Sequence, residues 1–241
     1  MSLQRLAIAP TQLQNEQVSL SASQQHYLRR VLRLQTGDRI ILLNGQGQAW
    51  LAALQEGATA TILEPYILQT ELPLDVSLIL ALPKNGFDDV VRACTELGVS
   101  CMIPVISDRS LLKPSPQKLE RWRRIATEAA EQSERQTIPP ILEPIPFAKS
   151  LASSPDARSF IAVARGTWPH LLTAVAADSS PSAIQIAIGP EGGWSAAEVE
   201  MAIATGFQPV TLGSRILRAI TAPIVALSLV TGVLESQQAR E

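Results

Sequence analysis

From Val76 onward, short apolar runs alternate with longer segments of helical periodicity, and this alternation restricts the fold more than any other feature of the chain. Val76–Leu82, Met102–Ile106, Ser159–Val163, Ile184–Ile188 and Pro209–Leu212 read as buried strands. Phe87–Leu97, stopped by Gly98, reads as a helix, as does Pro116–Gln132 with a proline in its first turn; a last helix covers Ile220–Gln237. Strands that alternate with helices are parallel, because the crossover must return to the starting edge, and the helices then cover both faces of the sheet. The expected class is α/β.

Residues 1–70 differ. Leu6–Ala9 is a short strand candidate, and Ser21 or Ser23 caps a helix to about Leu34. Thr36-Gly37-Asp38 turns the chain into Arg39–Leu43, Asn44-Gly45 turns it again, and Ala49–Leu54 returns as the partner strand. Thr59–Leu68 supplies one more strand, with Pro65 marking an edge. This is a small β-rich domain over 1–70. Glu71-Leu72-Pro73 is the linker to a second domain over 71–241, in which Ser153–Pro155 is a soft loop.

Of the 241 residues, 46% are hydrophobic and 17% charged, which excludes a disordered chain. Cys94 and Cys101 are too few for a disulfide scaffold and are not spaced as a CxxC, so two buried, reduced thiols are expected. His26 and His170 are too few and too far apart for a metal centre, and His170 reads as a surface-loop residue. The uncharged stretch after Arg5 is too short for a secretory segment. Ala222–Leu234 is broken by Pro223, Ser228, Thr231 and Gly232 and falls short of the about 20 residues that span a bilayer. A soluble cytoplasmic protein is expected.

The net charge of −2 excludes a protein that coats nucleic acid with its whole surface. The basic groups are nevertheless clustered. Residues 1–40 hold five arginines against Glu16 and Asp38, and residues 109–124 hold Arg109, Lys113, Lys118, Arg121, Arg123 and Arg124 against Glu120. On the first helix His26, Arg29, Arg30 and Arg33 are three or four apart and share a face. Such clusters are either solvated helix faces or phosphate-binding forks.

Two segments carry candidate chemistry. The first, Gly189-Pro190-Glu191-Gly192-Gly193-Trp194-Ser195, follows an apolar strand directly. Its glycines let a ligand approach the backbone, and Ser195 with Glu198 forms a capping box that starts a helix there. The loop is either a tight structural turn or a ligand site at the carboxyl end of a sheet strand. Its spacing is neither GxGxxG nor a Walker loop. The second segment, Leu212-Gly213-Ser214-Arg215-Ile216-Leu217-Arg218, places two arginines just past another strand. Both turns follow strands of the same sheet, and they are expected to line one pocket.

GPEGGWSAAEVE followed by LGSRILRAITA resembles the carboxyl half of the RsmE-type family, uridine-N3 methyltransferases of 16S ribosomal RNA within the SPOUT superfamily. His26–Arg33 with Gly37-Asp38, Pro83-Lys84, Thr95–Val99, Ile103-Pro104, Arg121-Trp122, Ala129–Ser133, Arg135 and Pro139 resemble the family's remaining motifs, so the likeness covers nearly the whole chain. The resemblance implies a PUA-like β-barrel followed by a SPOUT domain with a trefoil knot, acting as a homodimer on the small ribosomal subunit, at a uridine of its decoding region, without a metal. It implies that S-adenosyl-L-methionine lies between Gly189, Pro190, Glu191, Gly192 and Gly193 on one side and Leu212, Gly213, Ile216 and Leu217 on the other. RNA would be held by His26, Arg29, Arg30, Arg33, Lys84 and Arg121. The apolar Ile220–Leu234 helix suits a dimer contact or burial within one subunit equally.

Methylation at N3 of uracil requires loss of the N3 proton, and the charge that spreads onto O2 and O4 is stabilised by a nearby cation. Arg218 is the first candidate and Arg215 the second. Glu191 either accepts the proton or binds the methionine amino group. Where the family reads RILR-x-ETA this chain has Ile220 in place of Glu, and Ala93 and Glu134 replace its usual Lys and Gly. A carboxylate at 220 is therefore unavailable to any mechanism here, which keeps open a second function, an RNA-binding assembly factor without catalysis. A nucleotide-dependent enzyme with a phosphate over Gly189–Gly193 would need a catalytic lysine or an acidic ribose ligand at a spacing the chain lacks.

Overall fold

The apolar runs before residue 70 become six short strands in the computed structural model, which describes residues 3–110, 114–151, 157–177 and 182–238. Lys113 and the loop Ser153–Pro155 lie outside the described residues. The chain divides into two units, one built from residues up to Glu71 together with Thr127–Ile138, the other from Leu72–Ala126 and Pro139 onward.

In the first unit the strands are β1 (Arg5–Ala7), β2 (Leu13–Gln14), β3 (Gln17–Ser19), β4 (Arg39–Leu43), β5 (Ala49–Leu54) and β6 (Thr59–Pro65), in the sheet order β1-β4-β5-β6-β3-β2. β1 and β4 are parallel; every other pair is antiparallel. Leu6 of β1 and Val18 of β3, from opposite ends of that order, share one cluster with Leu28, Ile40, Leu42 and Leu54, so the sheet curls around a single core. The opposite face of β4 is buried too, Ile41 and Leu43 packing with Ala49 and Ile138, which explains the unbroken apolar run there. No Asn-Gly signature marks the β2–β3 hairpin, whose turn residues, Asn15 and Glu16, take positive φ.

Helix α1 (Ala22–His26) starts at Ser21, whose Oγ accepts the Gln24 N–H while the Gln24 side chain accepts the Ser21 N–H. It widens into a π turn over Tyr27–Val31 and stops before Leu34, with Arg33 at φ 58°.

Residues 127–138 belong to the first unit through specific polar bonds. Glu131 Oε1 accepts the Ala7 N–H at 2.6 Å, and burial raises this carboxyl above its ordinary pKa. Arg5 pairs with Glu134 at 2.6 Å. Buried Arg135 donates through Nε and Nη2 to Glu71 Oε2, and Glu71 Oε1 accepts the N–H groups of Gln136 and Thr137. A single carboxylate thus satisfies four donors.

The second unit carries β7 (Asp75–Ala81), α2 (Phe87–Glu96), β8 (Cys101–Ile106), α3 (Pro116–Gln132, whose last residues belong to the first unit), β9 (Ile145–Pro146), α4 (Phe147–Ser150), β10 (Ala157–Ala162), α5 (Leu171–Ala176), β11 (Ala183–Ile188), α6 (Ala196–Ala204), β12 (Gln208–Val210) and α7 (Ala222–Gln238). Its sheet runs β12-β10-β11-β7-β8-β9 and every pair is parallel. Ile79, Ile161 and Ala187 pack under α4 and α6, while Leu78, Phe160 and Ile186, one residue out of phase, are buried on the other face. α7 packs on α5 and α2 and buries Ala226, Leu227, Val230 and Leu234 within the chain. Among the described residues, no helix is long and apolar enough to cross a membrane.

Glu71→Ala leaves the Arg135 guanidinium and two backbone N–H groups without this acceptor, a change that costs about 3 kcal/mol. Urea denaturation should show a lower midpoint at unchanged slope; an unshifted midpoint would show that the carboxylate holds nothing.

Candidate active site

Parallel strands end on the same side of a sheet, so the carboxyl ends of adjacent β12, β10 and β11 bring three loops together. These loops line one cavity of about 280 Å³: Ala162–Arg165 after β10, Ile188–Trp194 after β11, and Thr211–Gly213 with Arg215–Leu217 after β12. The glycine turn and the arginine segment therefore meet. Gly189, Pro190, Glu191, Gly192, Gly193, Leu212, Gly213, Arg215, Ile216 and Leu217 all lie on the wall; Arg218 does not. Gly213, at φ +121°, holds a conformation that side-chain-bearing residues rarely adopt.

The turn after β11 is built from short-range bonds. Gly193 N–H donates to Pro190 O at 2.8 Å and closes it. Ser195 Oγ accepts the Glu198 N–H at 3.3 Å, and Glu198 Oε2 accepts the Ser195 N–H at 2.8 Å, forming the expected capping box. The turn is also tied to the loop after β8, which spacing alone does not reveal. Arg109 Nη1 donates to Gly192 O at 2.7 Å and to Trp194 O at 3.3 Å. Ser195 Oγ donates to Asp108 Oδ2 at 2.7 Å, and the Asp108 N–H donates to Glu198 Oε1 at 2.9 Å. Glu198 is 5% exposed because its two oxygens are used by backbone donors. Trp194 stacks on Phe147 with ring centres 4.2 Å apart, and its Nε1 is buried with no hydrogen-bond partner beside the cavity wall.

Glu191 is the one carboxylate on the cavity wall among the described residues, and its Oε1 accepts the Lys84 N–H at 2.9 Å. The loop holding Lys84 reaches Gly86, on which the Ile220 side chain packs. Position 220 is thus an apolar contact.

The remaining sequence candidates are spread out. His26, Arg30 and Arg33 are exposed on the first unit. Arg29 is engaged by its own fold, donating to Gln55 O at 2.7 Å and Leu34 O at 3.3 Å. In the second unit Arg121 pairs with Asp88 at 2.7 Å, and Arg123 pairs with Glu120 and Glu143, so part of the second basic cluster is locally neutralised. His170 caps α5 through Nδ1, which accepts the Leu172 N–H at 3.2 Å; it begins a helix and is not a free loop residue. Burial pushes the Cys94 thiol up to about 12, and burial with the Asp75 charge pushes Cys101 to about 11, so neither is a thiolate nucleophile near neutral pH.

A backbone-lined cavity at the ends of parallel strands, in a chain that also carries a curled sheet unit, agrees with the comparisons. The sequence profile of the RNA methyltransferase domain matches residues 70–231, and that of the RNA methyltransferase PUA domain matches residues 20–63. These two matches place the chain among RNA methyltransferases with a PUA-like N-terminal domain. A Synechocystis protein named ribosomal RNA small subunit methyltransferase E is 49% identical over 237 residues, 96% of this chain and 78% of that one. The Bacillus subtilis protein of the same name is 32% identical over 95% of this chain and 96% of its own. The crystal structure of the Neisseria gonorrhoeae ribosomal RNA small subunit methyltransferase E bound to S-adenosyl methionine superposes with a TM-score of 0.86 at 32% identity, over 96% of this chain and 98% of that one. The chain belongs to the ribosomal RNA small subunit methyltransferase E family.

Ser195→Ala removes the helix cap and the bond to Asp108, and should cost about 1 kcal/mol. Urea denaturation measures this; a midpoint equal to that of the unsubstituted protein would show that the cap does not hold the turn.

Proposed function

We propose that this protein transfers a methyl group from S-adenosyl-L-methionine to N3 of a uridine in the decoding region of 16S ribosomal RNA. The observation that carries the reading is the meeting of three strand-end loops on one cavity, in a chain of this family. The first unit is the RNA-binding domain, with His26, Arg30 and Arg33 as its exposed basic face, and the second is the catalytic domain. The reading includes a homodimer, a knotted path of the chain at the cavity, and action in the cytoplasm.

The wall suits a donor with a flat aromatic base and a polar tail. Ile188, Leu212, Leu217, Ala219 and Ala222 give it apolar surface, Gly213 carries no side chain into it, and the unpartnered Trp194 Nε1 lies at its edge. The turns Gly189–Gly193 and Leu212–Gly213, with Ile216 and Leu217, hold the donor. When bound, S-adenosyl-L-methionine supplies an electrophilic methyl group on a sulfonium.

The protein's own part is alignment and charge. Arg215, on the cavity wall, stabilises the negative charge that grows on O2 and O4 of uracil as N3 loses its proton. Arg218 is not among the residues of the wall, so Arg215 takes the role ahead of it. Glu191 Oε1 is taken by Lys84, which leaves Oε2 to receive the N3 proton. Closing the pocket around an extruded base excludes water and replaces diffusional encounter by fixed orientation. Ile220 takes no part in proton transfer and sets the position of the Lys84–Gly86 loop through its contact with Gly86.

Mass spectrometry of 16S RNA from cells lacking the protein should show one uridine without its N3-methyl group. Reintroducing the unsubstituted chain restores the mark. Arg215→Ala should slow transfer about a hundredfold while donor affinity stays within about threefold. RNA with no missing methyl group would leave the non-catalytic assembly factor as the reading, and an equal loss of rate and donor affinity would assign Arg215 to the donor.

A further inference from the structure

The cavity wall is more positive than its donor requires. Arg109, Arg165 and Arg215 lie on it against Glu191 alone. The donor brings two positive centres, its sulfonium and its ammonium, and one carboxylate, so three arginines exceed the anionic charge it offers and call for a further anion in the same place. Arg109 is held by two backbone carbonyls, and Arg215 has its use at the uracil ring. Arg165 remains. It is exposed, and among the described residues its guanidinium has neither an ion pair nor a hydrogen bond.

The segment that presents Arg165 is firmly held. Trp168 Nε1 donates to Arg165 O at 2.9 Å and closes the bend. The same ring nitrogen packs on Gly166 so closely that a Cβ there would lie 2.7 Å away. Beyond the bend, Thr211 N–H donates to Pro169 O at 2.9 Å and Leu171 N–H donates to Thr211 O at 3.0 Å, which laces the segment to the end of β12. The bend fixes the backbone from which the Arg165 side chain departs, and its unpaired guanidinium offers paired donors to an oxyanion.

We propose that Arg165 binds a backbone phosphate of the RNA strand next to the nucleotide that enters the cavity, and so sets the register of the strand over the site. This rests on the reading of the site as an RNA methyltransferase. A phosphate contact of this kind positions the strand without reading its sequence.

The test compares the full-length protein with Arg165→Gln and Arg165→Lys. Affinity for a single-stranded RNA oligonucleotide that contains the target uridine is followed over a range of salt, and S-adenosyl-L-methionine affinity is measured without RNA. Arg165→Gln should bind RNA roughly three- to tenfold more weakly and lower the salt slope by about 0.7, the share of one phosphate on a single strand. KM for RNA should rise with kcat changed less, donor affinity should stay within about twofold, and Arg165→Lys should recover most of the slope. Unchanged RNA affinity and slope in Arg165→Gln would overturn the assignment, as would weakened donor binding in the absence of RNA, which would place the guanidinium on the donor's carboxylate. An unsubstituted protein that neither binds the donor nor methylates RNA overturns instead the methyltransferase reading itself.

Discussion

β10 lies between β11 and β12, all three running parallel, and the rest of the site depends on that adjacency. Parallel pairing forces each strand to release its chain on the same side as its neighbour, about 4.8 Å away. Three loops therefore leave the sheet within one small area. None of them needs large side chains to form a wall, because the backbone itself supplies it: the glycine turn after β11, Leu212-Gly213 after β12, and Ala162–Arg165 after β10. The buried strands Ile184–Ile188 and Phe160–Ile161 make the sheet rigid beneath them.

Rigidity at the top comes from a second source. The loop after β8 contributes Asp108 and Arg109, which use two side-chain groups and one backbone N–H on the Gly192–Glu198 segment. Glu191 fastens the Lys84 loop from the other direction. The turn is thus fixed by bonds to its carbonyls and its cap, which leaves its inward surface to a ligand. Charge is arranged separately from this scaffold: Arg165 and Arg215 stand on the wall and are free of ion pairs among the described residues.

Much of this was legible in the chain. β4 and β5 coincide with their apolar runs, α3 with the segment that opens on Pro116, and α6 with its Ser195/Glu198 capping box, because local periodicity and capping chemistry decide those elements. Strand order was not legible, since it is set by which strands pair over long separations. For the same reason Ala162–Arg165 carry no sequence signal: they have no motif, and only the neighbouring position of β10 brings them to the wall. Arg109 and Arg29 read from spacing as parts of basic faces, whereas carbonyl groups 83 and 26 residues away capture them. Residues 127–138 read as part of the second domain, with its helix ending at Gln132, yet Glu131, Glu134 and Arg135 bond into the first unit.

Calorimetric titration of S-adenosyl-L-methionine into the purified protein, alongside Gly213→Val, tests the central claim most directly. A β-branched residue at φ +121° is strained and adds atoms at the cavity wall, so saturable binding by the unsubstituted chain and its loss in the variant, at unchanged circular dichroism, is the predicted result. No heat from the unsubstituted chain, or equally tight binding by the variant, would contradict a donor seated between these strand ends.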